Sequence, residues 1–114
     1  MRSQRQTIAK SVAGKLFAAE EAIDIAAARI AELNAALPIA RLDARFGAAI
    51  GQDALVSSAS AVMLIAQTRQ EIIATHANLK QTNDDVGLAE VSYGDLFKAE
   101  HRQQPADGRH LRAA

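Results

Sequence analysis

The first third of the chain places apolar residues at intervals that alternate between four and three. From Val12 onward the alternation is unbroken and repeats every seven residues, which is typical of a helix that contributes one seam to a coiled coil. We therefore predict a long helix over residues 3–37. The positions that form the pattern are Ile8, Val12, Leu16, Ala19, Ile23, Ala26, Ile30, Leu33 and Leu37.

Pro38 interrupts this pattern, because proline has no backbone N–H and favours an extended conformation in the residue before it. We expect the first helix to end at Leu37 and a short helix to occupy residues 38–46, with Pro38 in its first turn. Gly47 and Gly51 follow this segment and predict a turn between two long elements.

A second long helix is predicted over residues 52–82, where the apolar face is broader than a two-stranded coiled coil requires. Apolar residues return further on, and we expect a shorter helix over residues 93–102. Residues 103–114 are polar and contain Pro105 and Gly108, so we expect a disordered tail there.

These elements predict an all-α fold in one domain, residues 1–102: an antiparallel hairpin of two long helices with a short third C-terminal element. The chain contains 26 alanines, a residue that favours helix but buries little apolar area. A turn near residues 45–47 would pair positions whose numbers add to about 91. Two helices share only one seam, so we expect a homodimer or a helical protein partner to complete a four-helix bundle.

Composition narrows the classes of function. Thirteen basic and thirteen acidic side chains cancel, which argues against a general polyanion binder. The absence of cysteine excludes disulfides and thiolate metal sites. Uninterrupted apolar runs fall short of the roughly 18 residues of a membrane span. We therefore expect a cytoplasmic protein without a transmembrane segment.

The hypothesis that fits these observations best is a non-enzymatic interaction, adaptor or structural protein that acts by helix–helix self-association and partner binding. We expect no catalytic, cofactor or metal site. Tyr93, Leu96 and Phe97 form a candidate docking patch, or else cover the open end of the hairpin. The large aliphatic residues expected at the association interface are Ile23, Ile30, Leu33, Val62, Ile65 and Ile72.

An acidic cluster on the first helix, Glu20, Glu21 and Asp24, is interpreted as a solvated face or as the ion-pair partner of Arg69. The predicted pairing places Arg69 opposite residue 22, at the centre of this cluster. Such a pair would define the alignment of the helices more than it would stabilise them.

The first alternative is a histidine phosphotransfer-like signalling module. The segment from His76 to Lys80 resembles the His-x-Leu-Lys-Gly pattern of those small helical domains, in which an exposed histidine accepts the phosphoryl group. Here Leu79 and Lys80 each stand one place late, and Gln81 stands where glycine is expected. His76 also falls on the apolar seam, where a packed structural histidine is the simpler interpretation.

The second alternative is a nucleic-acid-associated protein that uses a basic N-terminal arm. Arg2, Arg5, Lys10 and Lys15 precede the first acidic residue of the chain. Four charges are few for this purpose, and no aromatic residues are interleaved with them to stack on bases.

Overall fold

The computed structural model describes residues 2–88, which form two long helices joined by a short turn. Helix α1 spans Arg2–Ala44 and helix α2 spans Gln52–Asp85. The two helices pack against each other along their length as an antiparallel hairpin, and residues 2–88 contain no strand. The predicted all-α fold built on two long helices is confirmed. The third helix and the polar tail lie outside the described residues, as do Tyr93, Leu96 and Phe97.

Helix α1 continues through Pro38, so the predicted end at Leu37 and the separate helix over residues 38–46 are wrong. Proline inside a helix removes one backbone hydrogen bond and costs about 3 kcal/mol. The residues on either side of it in the seam, Leu37 and Arg41, are both half-buried against the rest of the hairpin, whereas Pro38 itself is exposed. Packing of the flanking residues therefore outweighs the local preference of proline.

Along α1 a series of buried and half-buried residues recurs at alternating intervals of three and four, and Phe17, Ala19 and Ala26 are half-buried beside it. Four predicted positions, Leu16, Ile23, Ile30 and Leu37, lie in this seam. Between them, each residue observed in the seam stands one position after the residue that the pattern predicted. The full α1 seam is Gln6, Ala9, Ala13, Leu16, Glu20, Ile23, Ala27, Ile30, Asn34, Leu37 and Arg41.

The matching seam of α2 follows the same repeat, with the exposed Arg69 at the one position between Ile65 and Ile72 where the burial is interrupted. Three polar residues in it, Ser58, His76 and Asn83, are buried. Its buried and half-buried members are Leu55, Ser58, Val62, Ile65, Ile72, His76, Leu79 and Asn83.

The turn is built from two left-handed residues. Arg45 has φ 60° and Gly51 has φ 81°. The Phe46 amide donates to the Arg41 carbonyl at 3.1 Å, and the Arg41 guanidinium donates to the Phe46 carbonyl at 3.1 Å, so this end of α1 is closed from both directions. Gly51 then precedes α2 without a side-chain cap. The predicted turn between the long helices is therefore present over residues 45–51.

The other end of the hairpin holds the most buried apolar cluster among residues 2–88. Gly87 (φ 79°) reverses the chain after α2, and the Leu88 amide donates to the Asn83 carbonyl at 2.7 Å. This closure folds Leu88 back onto Ala9, Ala13 and Leu16 of α1. The arrangement is the Schellman motif, in which a left-handed residue lets the chain satisfy carbonyls at the end of a helix.

We expect Gly87→Ala to destabilise the hairpin by about 1–2 kcal/mol, because an L-residue is strained at positive φ. An added Cβ meets no atom within 4 Å at Gly87, so the strain would come from the backbone and not from a clash. The measurement is urea unfolding followed by circular dichroism. Gly47→Ala is the matched control, since Gly47 is equally open and lies outside the positive-φ region. Equal losses of stability in both variants would contradict the conclusion that the left-handed conformation of residue 87 requires glycine.

Candidate association surface

Two polar pairs cross the seam between the helices. The Ser58 hydroxyl donates to Asn34 Oδ1 at 3.0 Å, and His76 Nδ1 lies 2.7 Å from Glu20 Oε2. The numbers of Asn34 and Ser58 add to 92, close to the pairing of about 91 that the turn position predicted. A polar group inside an apolar seam is costly unless it is paired. These pairs therefore favour one alignment of α1 and α2 over its neighbours.

A third cross-helix contact lies at the surface. Arg69 Nε is 2.8 Å from Asp24 Oδ1, and both side chains are more than half exposed. The expected ion pair between Arg69 and the acidic cluster is present, with Asp24 as its partner. Exposed pairs of this kind contribute roughly 0–1 kcal/mol, so its main effect is on alignment.

We expect Glu20→Ala to lower the free energy of unfolding by about 1–3 kcal/mol, because a buried histidine then loses its carboxylate partner. Glu21→Ala is the control, since this neighbouring carboxylate is exposed and makes no contact of this kind. We expect the control to change stability by less than about 0.5 kcal/mol. Thermal or urea unfolding of the two variants provides the comparison, and similar losses would show that the pair contributes nothing specific.

Five of the six predicted association residues already pack within the hairpin. Ile23, Ile30, Val62, Ile65 and Ile72 are half-buried in the seam between α1 and α2. The sixth, Leu33, is 56% exposed. Their participation in contacts between chains stays a prediction, and Leu33 has the most surface left for such contacts.

The position of His76 bears on the phosphotransfer alternative. The residue is 4% exposed, and its Nδ1 is engaged by Glu20. A phospho-acceptor nitrogen must reach a donor protein, so this burial weighs against the role. The segment that resembles the phosphotransfer pattern contributes to the seam through His76 and Leu79.

The basic N-terminal residues of the nucleic-acid alternative are all exposed along the start of α1. Arg5 lines the groove described below, and Lys15 donates to the Ser11 hydroxyl at 3.3 Å. The use of Arg2, Arg5, Lys10 and Lys15 as a binding arm stays a prediction.

One flank of the hairpin carries no charged residue over most of its length. The residues that precede every second seam position, beginning before Ala13 in α1 and before Leu55 in α2, lie on the same side of both helices, since antiparallel neighbours place like flanking positions together. We call this flank the alanine face. Its members are Val12, Ala19, Ala26, Leu33 and Ala40 of α1 with Ala54, Ala61, Thr68, Thr75 and Thr82 of α2.

The threonines of the alanine face present no free hydroxyl donor. Thr68, Thr75 and Thr82 donate to the carbonyls of Leu64, Glu71 and Asn78, at 3.0, 2.9 and 2.9 Å, within α2. Because these donors are satisfied inside the helix, a partner could cover them without losing hydrogen bonds. The opposite flank differs in this respect, because its seam-adjacent positions include Lys10, Asp24 and Lys80.

An open groove of about 460 Å³ lies at the end of the alanine face, beside the Leu88 cluster. Both helices contribute to it, and Val12 and Thr82 belong to groove and face alike. Asn83 lines the groove, is 6% exposed, and its Nδ2 has no hydrogen-bond partner. The apolar walls are Ile8, Val12, Leu79, Val86 and Leu88, with Arg5 at the rim.

Sequence reasoning did not find the alanine face or the groove. The signal for the face was present, since its α1 members Val12, Ala19, Ala26 and Leu33 were assigned to the predicted coiled-coil seam. In the hairpin they stand beside that seam. The groove exists because the chain reverses after α2 and packs Leu88 against α1. A periodic pattern of apolar residues does not predict such a reversal.

Residues 2–88 contain no cluster of three or more histidine, aspartate or glutamate side chains placed to hold a metal ion. Neither α1 nor α2 has a stretch long and apolar enough to cross a membrane.

No protein-family model matches this chain, and no curated protein or solved structure is significantly similar to it.

Proposed function

We propose that this chain is a non-enzymatic interaction or structural protein whose helical hairpin associates with itself to form a four-helix bundle. The observation that carries the proposal is the alanine face: an uncharged surface along both helices, with the large apolar side chains of Val12 and Leu33 in water at 38% and 56% exposure. Exposed apolar surface that is continuous and free of charge is typical of an interface.

The way the hairpin uses its polar side chains supports the proposal. Three polar contacts between side chains of α1 and α2, from Glu20, Asp24 and Asn34, align one helix on the other. These groups therefore serve helix pairing. The alanine face has more apolar side chains than the seam between α1 and α2 can cover. Association would remove them from water and stabilise the dimer by about 25 cal/mol for each Å² of apolar surface buried.

The composition of the seam gives an energetic reason for association. Three of the α1 seam positions are alanines, Ala9, Ala13 and Ala27, and alanine buries little area. Among residues 2–88 no large side chain is fully buried. A second hairpin packed on the first would add a second layer to this thin interior.

We expect the full chain to have twice its monomer mass of 12.1 kDa in solution. Light scattering behind a sizing column, over a range of loading concentrations, measures this directly. The equilibrium should move to monomer on dilution and should depend little on salt, because the alanine face carries no charge. A monomer at every concentration would refute self-association, and a salt-labile dimer would point to charged contacts elsewhere.

A further inference from the structure

We infer that the alanine face is covered by the alanine face of a second copy, with the two α1 helices antiparallel and Ala19 of each copy beside Ala26 of the other. This inference rests on the proposed self-association and adds to it the face, the orientation and the alignment. The occupant of the face is thus a second copy of this chain.

The α1 half of the face is complementary to itself when reversed. With Ala19 against Ala26, the same symmetry places Val12 of each copy against Leu33 of the other. Two small residues then meet near the twofold axis, where helices can approach closely. A large residue meets a large residue at either end, where the exposed side chains of Val12 and Leu33 need cover.

The α2 half of the face is compatible with this placement. Its five members recur every seven residues from Ala54 to Thr82, with Thr68 in the middle. The hairpin alignment, in which paired numbers add to 92, places the midpoint of Ala19 and Ala26 opposite residues 69–70 of α2. The two centres differ by fewer than two residues, or about 2 Å along a helix. One twofold axis can therefore serve both helices.

The size of the face is sufficient for a stable dimer. Helix α2, with 34 residues, extends about 50 Å, and two packed helices present a strip roughly 15–20 Å wide. That area is about 750–1,000 Å² from each copy, near the 800 Å² per partner of a standard interface.

The groove adjoins this contact. In the proposed dimer Leu33 of the second copy lies against Val12, which lines the groove together with Leu88.

Engineered cysteines test the alignment, because the chain has none of its own. We expect the Ala19→Cys/Ala26→Cys double variant to form a disulfide-linked dimer under mild oxidation, read on a non-reducing gel. Neither single variant should link, because equivalent residues would be about 10 Å apart along the helix, beyond disulfide reach. The control is Ala18→Cys/Ile25→Cys, which has the same spacing on an exposed side of α1 away from the face.

The outcomes separate this inference from the proposed function. Efficient linking of either single variant would mean another alignment and would overturn the inference. A dimer by light scattering in which the double variant links no better than its control would also overturn it, yet would leave self-association standing. A monomer by light scattering would remove both.

A matched pair of substitutions gives an independent measure. Leu33 and Ile25 are 56% and 55% exposed on α1, but only Leu33 belongs to the alanine face. We expect Leu33→Asp to raise the dimer dissociation constant at least tenfold and Ile25→Asp to leave it within about twofold. Circular dichroism verifies that both variants keep their helices. Equal effects on dimerisation would overturn the inference.

Discussion

The alignment of α1 on α2 is the constraint on which the rest of the structure depends. Two polar pairs inside the seam define it, Asn34 with Ser58 and Glu20 with His76. Sliding one helix by a turn would separate both pairs and leave polar groups in the seam without these partners, which is costly.

This alignment also decides which apolar side chains remain exposed to solvent. Placing Glu20 and Asn34 in the seam rotates α1 so that Val12 and Leu33 stand beside it, in water. A two-helix hairpin has one shared seam, and the broad apolar pattern of this chain exceeds what that seam can cover. The exposed alanine face and the thin interior are thus two results of the same rotation.

Much of the fold was predictable because it follows from local spacing. The two long helices, the turn near Gly47 and Gly51, and the pairing of Arg69 with an acid of the Glu20–Asp24 cluster all follow from repeat length and turn position. The break at Pro38 was predicted wrongly, since packing on both sides of the proline overrides its local preference. Of the candidate surface, Leu33 alone among the six proposed interface residues stays exposed.

By itself the sequence determined that the chain is helical, that the helices fold back on each other, and roughly which residues face one another. These properties depend on alanine propensity and on a seven-residue repeat, both of which are local. Only the tertiary structure decided between two neighbouring seams that share Leu16, Ile23, Ile30 and Leu37. The physical reason is that polar residues enter a seam only when a partner on the other helix satisfies them, and that partner becomes known only when both helices are in place.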